Sequence, residues 1–487
     1  MTTPSSTYRP RILYLSLFSW MSVSGGRFLA PFLKEEAELS DSWIGTTFAC
    51  QYAILSLLAP WFGHWADQRE KRYPHKGRAQ ILMATVTIGT LSFSLHGLHY
   101  VVPLPVFHSL PFHILAQCGY ATAFASLFPI LDGMTVDYLD RLEGSSSSDY
   151  GAERLYGAVS WGVANLLFGV LLDKFGMFIY FPCAWAAALY SIVSIMLFSS
   201  SSAAAAAAVK NDSESNNHPS EATALLEAAT TNGHQNHHQQ PNDNTTDQKE
   251  DTPSTLALMG IIFGSVYGTF FLFCYFVLNT GFSVVENLVF LFFEFLGASH
   301  TLEGITVALT VVFEIPVFSL APVLLKRHGV GLFLVMANVA YLIRVIGYTL
   351  IPQGHSWLVF LVEPLHGFTY AGAQASAVEF VNQHVPRGSE ASGQGIVNFV
   401  RGLASVLGLI SGGWLQEHCG PRFMYRVFIV CVAVGTASFV SVRCIPRYQA
   451  EENVQRDTPV GEAATNVETR QHKNGGVAQD ETSSGAA

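Results

Sequence analysis

The sequence predicts an all-α membrane protein with about twelve transmembrane helices in two pseudo-symmetric six-helix bundles. Three observations predict it. Charged residues make up 13% of the 487-residue chain and half of it is hydrophobic, whereas soluble domains carry about 25% charge. About twelve apolar segments reach the ~20 residues that a bilayer crossing needs. The halves also repeat. The fifth segment ends GVLLDKFG (169–176) and the eleventh ends GWLQEHCG (413–420), both G-x-L-x4-G. Each of these segments opens on an arginine followed by small residues: Arg154, Gly157, Ser160 and Gly162 against Arg401, Gly402, Ser405 and Gly408. Small residues let helices approach closely in lipid, and two matches at corresponding places point to a duplicated six-helix unit.

The first six segments fall near 11–33, 43–62, 79–101, 106–133, 153–172 and 177–198. The first carries no clear cleavage site and reads as a spanning helix, not a signal peptide. The second six fall near 258–292, 302–325, 330–351, 356–382, 391–414 and 422–443. The seventh is too long for one simple crossing and suggests an amphipathic lead-in. Residues 1–198 and 255–446 are therefore expected to form the two bundles. Residues 199–254 are polar and poor in aromatics, the composition of a disordered linker, and 447–487 read as a disordered tail.

Lys and Arg in short loops set the orientation. DQREKRYPHKGR after the second helix carries Arg69, Lys71, Arg72, Lys76 and Arg78, and Lys326 and Arg327 follow the eighth. The loop after the first helix is acidic and the one after the third has no Lys or Arg. The even-to-odd loops, the linker and both termini are thus expected to be cytoplasmic. The net charge of −10 argues against a nucleic-acid partner, which needs a basic stripe. The seven cysteines form no CxxC pair and read as buried structural thiols rather than a metal site. His234, His237 and His238 in the linker read as low-complexity sequence. No nucleophile elbow or HExxH is present, so an enzyme is not expected, and nothing calls for a cofactor beyond a proton as coupling ion.

A charge at mid-membrane costs at least about 2.5–3.5 kcal/mol, so those retained line a cavity or pair up. The candidates are Arg27, Asp132, Asp137, Arg154, Glu286, Glu294, Glu314, Arg344, Glu363, His366 and Arg401. Arg27, Asp137, Glu294 and Arg401 also suit snorkelling near helix ends, and Glu314–Arg344 suits a static pair. Glu363 and His366, three residues apart in FLVEPLHGFTYAG, are expected one turn apart on one helix face. A buried acid beside a base and an arginine can load and unload a proton as its surroundings change. In GHWADQREKR, Gly63 permits close packing, Asp67 pairs with neighbouring helix ends, and Arg69 opens the basic run. Such a loop serves as a gating latch, or simply fixes topology.

The G-x-x-x-D plus basic run resembles the signature loop of the major facilitator superfamily, with Glu70 where a glycine is usual. The membrane part resembles the branch holding lactose permease and the major facilitator superfamily domain-containing protein 6 family. YGAERLYGAVSW resembles a permease stretch whose Arg contacts the sugar and whose Trp stacks on it, which implies those roles for Arg154 and Trp161. LIRVIG and PLHGF resemble the segments carrying its coupling Arg and His, here Arg344 and His366. The permease's acid three residues after that His is Thr369 in this chain, and Glu363 lies three residues before it. The resemblance implies a secondary transporter with a midplane site. Arg154, Trp161, Asp132 and Arg27 would bind a sugar, glycoside or nucleoside-like solute. Glu363, His366, Arg344, Glu314 and Glu286 would carry or tune the proton. A facilitator without coupling is one alternative; a receptor or scaffold keeping the same fold without transport is the other, and Thr369 favours the latter. EATALL, with Glu221, Leu225 and Leu226, resembles an acidic dileucine sorting signal. It points to adaptor partners and an endosomal or vacuolar membrane, with the plasma membrane as the other destination.

Overall fold

A computed structural model describes residues 8–74, 76–102, 104–140, 147–216, 255–386 and 389–445. Among these residues the regular structure is entirely helical. Nine of the helical stretches are long and apolar enough to cross a membrane. One of those holds two crossings, and two further crossings are broken into short pieces, so the element order gives twelve.

The first crossing is split. Helix α1 (Arg11–Ser24) stops at Gly25–Gly26 and α2 (Leu29–Glu35) resumes after it. A Cβ on Gly25 would lie 2.4 Å from the Tyr120 hydroxyl, so the break is packed around an aromatic ring that only glycine accommodates. Arg27 is left in the unwound turn. The second crossing is α3 (Asp41–Arg72) and the third is α4 (Gly77–Ser94). The fourth is α5 (Leu110–Phe124) and α6 (Leu127–Leu139), broken at Ala125 and Ser126. The fifth is α7 (Ser147–Phe175) and the sixth α8 (Tyr180–Asn216). Helix α8 continues past residue 198, where a disordered linker was expected to begin. The alanine run there has the highest helix propensity of any residue type and prolongs the crossing. Residues 217–254 and 446–487, with Glu221, Leu225, Leu226 and the linker histidines, lie outside the described residues.

The long seventh run is two helices, α9 (Thr255–Gly264) and α10 (Val266–Phe295). They part at Ser265, whose hydroxyl caps α10 by accepting from the Gly268 amide. Crossings eight and nine are α11 (His300–Leu350), a helix pair joined at Gly329 with φ 77°, a left-handed turn that favours glycine. The tenth begins as a 3-10 turn (Ser356–Leu361) and continues as α12 (Leu365–His384). Helices α13 (Glu390–Cys419) and α14 (Pro421–Arg443) complete the chain.

The halves meet along two seams, the first part of α11 on α7 and α13 on α3. A Cβ on Gly304 would fall 2.5 Å from the Asn165 carbonyl oxygen, and one on Gly45 would fall 2.3 Å from that of Leu409. At these crossings backbone touches backbone, the small-residue packing expected of helices in lipid. The two backbone approaches lie toward one end of the molecule, here called the distal end, which holds the turns at 36–40, 176, 296–299 and 420.

Candidate functional site

The charged residues gather in three places. In the C-terminal half, Arg344 on α11 donates from one nitrogen to Glu363 Oε2 at 2.9 Å and from another to His366 Nδ1 at 2.9 Å. Arg344 and Glu363 are wholly buried. The Tyr348 hydroxyl, one turn beyond Arg344, donates to the other Glu363 oxygen. Glu363 does not share a helix with His366. It lies in the turn ahead of α12, which Pro364 prevents from extending backward, and its carbonyl accepts from the His366 amide at 2.9 Å. The turn still leaves both side chains on Arg344, though the expected one-helix geometry is corrected.

At the junction of the halves, Arg27 from the broken first crossing reaches Glu286 of α10 at 2.6 Å. Glu286 also lies 3.5 Å from His366 Nδ1. Beside this ion pair, Asn287 donates to the Tyr52 hydroxyl at 3.3 Å, a second polar link between halves. A continuous chain therefore runs Arg27–Glu286–His366–Arg344–Glu363. Arg27, grouped with the substrate residues from sequence, belongs spatially to this chain. Glu314 makes no contact with Arg344, so the static pair considered for them is absent. Glu314 instead stands within electrostatic range of Glu286, Arg27 and Arg154.

The N-terminal half carries the third cluster. Arg154 lies 3.9 Å from Asp132 and donates to the Tyr150 hydroxyl at 3.1 Å. The Tyr14 hydroxyl donates to Asp132 at 3.1 Å. Arg154 keeps 48% and Asp132 32% of their side chains exposed, in contrast with the sealed Arg344–Glu363 pair. Trp161 is only partly buried and packs against the core, about two turns further along α7. Arg401, the repeat counterpart of Arg154, lies over the Tyr370 ring at 6.0 Å and donates to Gln374 at 3.3 Å. Tyr370, Phe282 and His366 form a loose stack with centroids 5.6–6.0 Å apart. A small pocket beside it is lined by Tyr275, Asn279, Phe282, Tyr370 and Arg401.

Sequence reasoning passed over Tyr14, Tyr150, Tyr348 and Tyr370. For Tyr150 and Tyr348 the signal was the one-turn spacing to a charged partner, in Tyr150–Arg154 and Arg344–Tyr348. Thr369 is fully buried, and its hydroxyl donates to the Leu365 carbonyl, so it brings no acid to the cluster.

The loop motif acts within one half. Asp67 (2.7 Å) and Asp137 both grip Arg78, and Arg69 donates to Gln80 at 3.0 Å. Gly63 lies against Pro129. These contacts tie α3, α4 and α6 together.

At the distal end the repeated motif has a visible use. Asp173, four residues into GVLLDKFG, accepts from the His300 and Thr301 amides at 2.9 and 2.8 Å. Glu417, four residues into GWLQEHCG, accepts from the Ser42 amide at 2.9 Å. Each half thus caps a helix N-terminus of the other, satisfying orphan amides with a carboxylate.

Twelve crossings in two halves that cap one another at the distal seam, with ion pairs buried among them, fit a multi-pass membrane transporter of the major facilitator type. The MFS_1 like family model matches residues 9–427, and the chain belongs to that family. Among curated proteins, the uncharacterized transporter YwbF of Bacillus subtilis (strain 168) is 24% identical over 146 residues, which is 30% of this chain and 32% of that protein. The match thus spans about a third of that relative. Among solved structures, a mutant of the nucleoside transporter NupG superposes with TM-score 0.66 at 15% identity, covering 89% of this chain and 98% of that one. A bacterial homologue of the iron transporter ferroportin, in its inward-facing state, superposes with TM-score 0.60 at 14% identity over 89% and 96%. At these identities the likeness is one of fold.

Proposed function

We propose that this transporter moves a small polar solute, a sugar, glycoside or nucleoside, together with a proton by alternating access. The observation that carries the reading is the position of His366 Nδ1. It accepts from Arg344 at 2.9 Å while lying 3.5 Å from Glu286. An arginine only donates, so the ring proton in this state sits on Nε2. A proton arriving at Nδ1 ends that hydrogen bond and turns the ring nitrogen into a donor facing Glu286. Glu286 is the carboxylate that holds Arg27 across the halves. Protonation of one imidazole therefore competes for the ion pair that joins the bundles, which is what coupling a proton to rocking requires. Glu363 and Tyr348 hold Arg344 in place for this exchange.

In this state the solute site would open toward the end bearing the termini, the release side in uptake, where Arg154 and Asp132 are partly exposed. Arg154 offers paired donors for hydroxyls. Trp161 and the Tyr370–Phe282 stack offer flat faces for a sugar or base ring. One structural neighbour is a nucleoside transporter, which agrees with that class. The basic even-to-odd loops support a cytoplasmic location for that end, in the plasma membrane or an endosomal or vacuolar one. The test is uptake from a panel of sugars and nucleosides. Arg154→Ala at normal surface abundance is expected to abolish transport, and full uptake would remove Arg154 from the site. A facilitator is the second reading, favoured by the neutral, backbone-satisfied Thr369. Solute flux without proton flux would establish it.

A further inference from the structure

Away from the central chain, the distal turn between α10 and α11 gathers Glu294, His300 and Glu303, each offering a ligand atom within 4.8 Å of the others. We propose that these three residues form a binding site for a divalent transition-metal cation of the Zn²⁺ class. Glu303 is wholly buried, and its Oε2 takes the His300 Nδ1 hydrogen bond at 3.0 Å. Its Oε1 has no partner, and neither does Oε1 of Glu294. Two buried carboxylate oxygens left without a donor in one three-residue cluster are costly unless a cation or a proton supplies the missing charge. Glu35 and Asp173 add further negative charge within range, and Lys34 is the nearby lysine.

The donor chemistry selects the metal. One imidazole with two carboxylates suits Zn²⁺ and its neighbours, whereas Ca²⁺ and Mg²⁺ prefer all-oxygen shells. Ligand atoms on a tetrahedral zinc stand about 3.3 Å apart, given Zn–N and Zn–O bonds near 2.0–2.1 Å. The 3.0 Å His300–Glu303 separation already approaches that edge. The remaining span closes by rotation of Glu294, which sits in the last turn of α10. A metal on Nδ1 leaves the imidazole proton on Nε2, and any proton held by the carboxylates is released to water. His300 keeps 17% of its side chain exposed, which gives the ion a route in. The site is prebuilt: Gly297, at φ 82°, makes the tight turn, and Asp173 pins the His300 and Thr301 amides.

The experiment uses the purified full chain in nanodiscs, titrated with CoCl₂ and then ZnCl₂. Visible d–d absorption reads the Co²⁺ and equilibrium dialysis reads the stoichiometry. The linker variant His234→Ala/His237→Ala/His238→Ala serves as the background. We expect one equivalent of Co²⁺ with tetrahedral bands, displaced by Zn²⁺. His300→Gln, Glu303→Gln and Glu294→Gln should each weaken it at least tenfold. Should Glu303→Gln fail to fold, the two partly exposed positions carry the test. Binding weaker than about 1 mM in the background protein overturns the proposal, because the carboxylates would then hold protons. Equal binding in the three variants overturns it too, since the metal would lie elsewhere.

Discussion

Arg344 is wholly buried, and Glu363 answers its charge from a turn rather than a helix. Removing one member strands the other in the interior, a cost of about 3–5 kcal/mol. Glu363→Ala and Arg344→Ala should each lower the thermal midpoint sharply. Replacing both with Leu and Met should recover much of the loss while transport stays absent. A double variant as unstable as the singles would show that the pair contributes more than mutual neutralisation. The charges themselves were legible in the sequence, because ionisable residues in apolar runs are rare and conspicuous. Their pairing was not. Glu314 and Glu363 are equally plausible partners for Arg344 by composition, and only the turn at Pro364 decides between them. Arg27, grouped with Arg154 from sequence, is turned toward Glu286 by the Gly25–Gly26 break.

Asp173 and Glu417 make the same capping contact from opposite halves, and the two G-x-L-x4-G strings foretold their correspondence but not their purpose. A carboxylate at an N-cap contributes about 0.5–2 kcal/mol. Losing both in Asp173→Ala/Glu417→Ala should shift the conformational balance toward a distal-open form by roughly tenfold or more, 1.4 kcal/mol being one decade. Single-molecule FRET between labels on the distal ends of the halves would read the shift, and an unchanged distribution would leave these residues as ordinary caps. The Gly304 seam gives a second handle on the same motion. Gly304→Val places a side chain where the Asn165 carbonyl stands, and it should open the distal end without touching the charged chain. Helix existence was readable from hydropathy, whereas helix breaks were not. The breaks after Ser24, at Ala125–Ser126 and at Ser265 depend on what packs beside them, such as the Tyr120 ring against Gly25. The prolonged α8 reflects the alanine run overriding a polar composition.

At the scale of the molecule, two pseudo-symmetric bundles meet at a distal seam closed by backbone contacts and reciprocal caps, with a partly exposed arginine–aspartate pair in the N-terminal half. Hydropathy and the internal repeat make this architecture legible in the sequence. The substrate class was not, because it depends on side chains from different crossings meeting at one point. Raising the external proton concentration should increase initial uptake at subsaturating solute and should have little effect in His366→Gln, whose amide takes no proton. The most direct measurement records proton and solute fluxes together in proteoliposomes, for wild type and Glu286→Gln. We expect solute-driven proton entry in wild type, and in the variant solute exchange that no longer moves protons. Proton entry undiminished in Glu286→Gln, or solute movement without protons in wild type, would contradict coupling through the His366–Glu286–Arg27 chain.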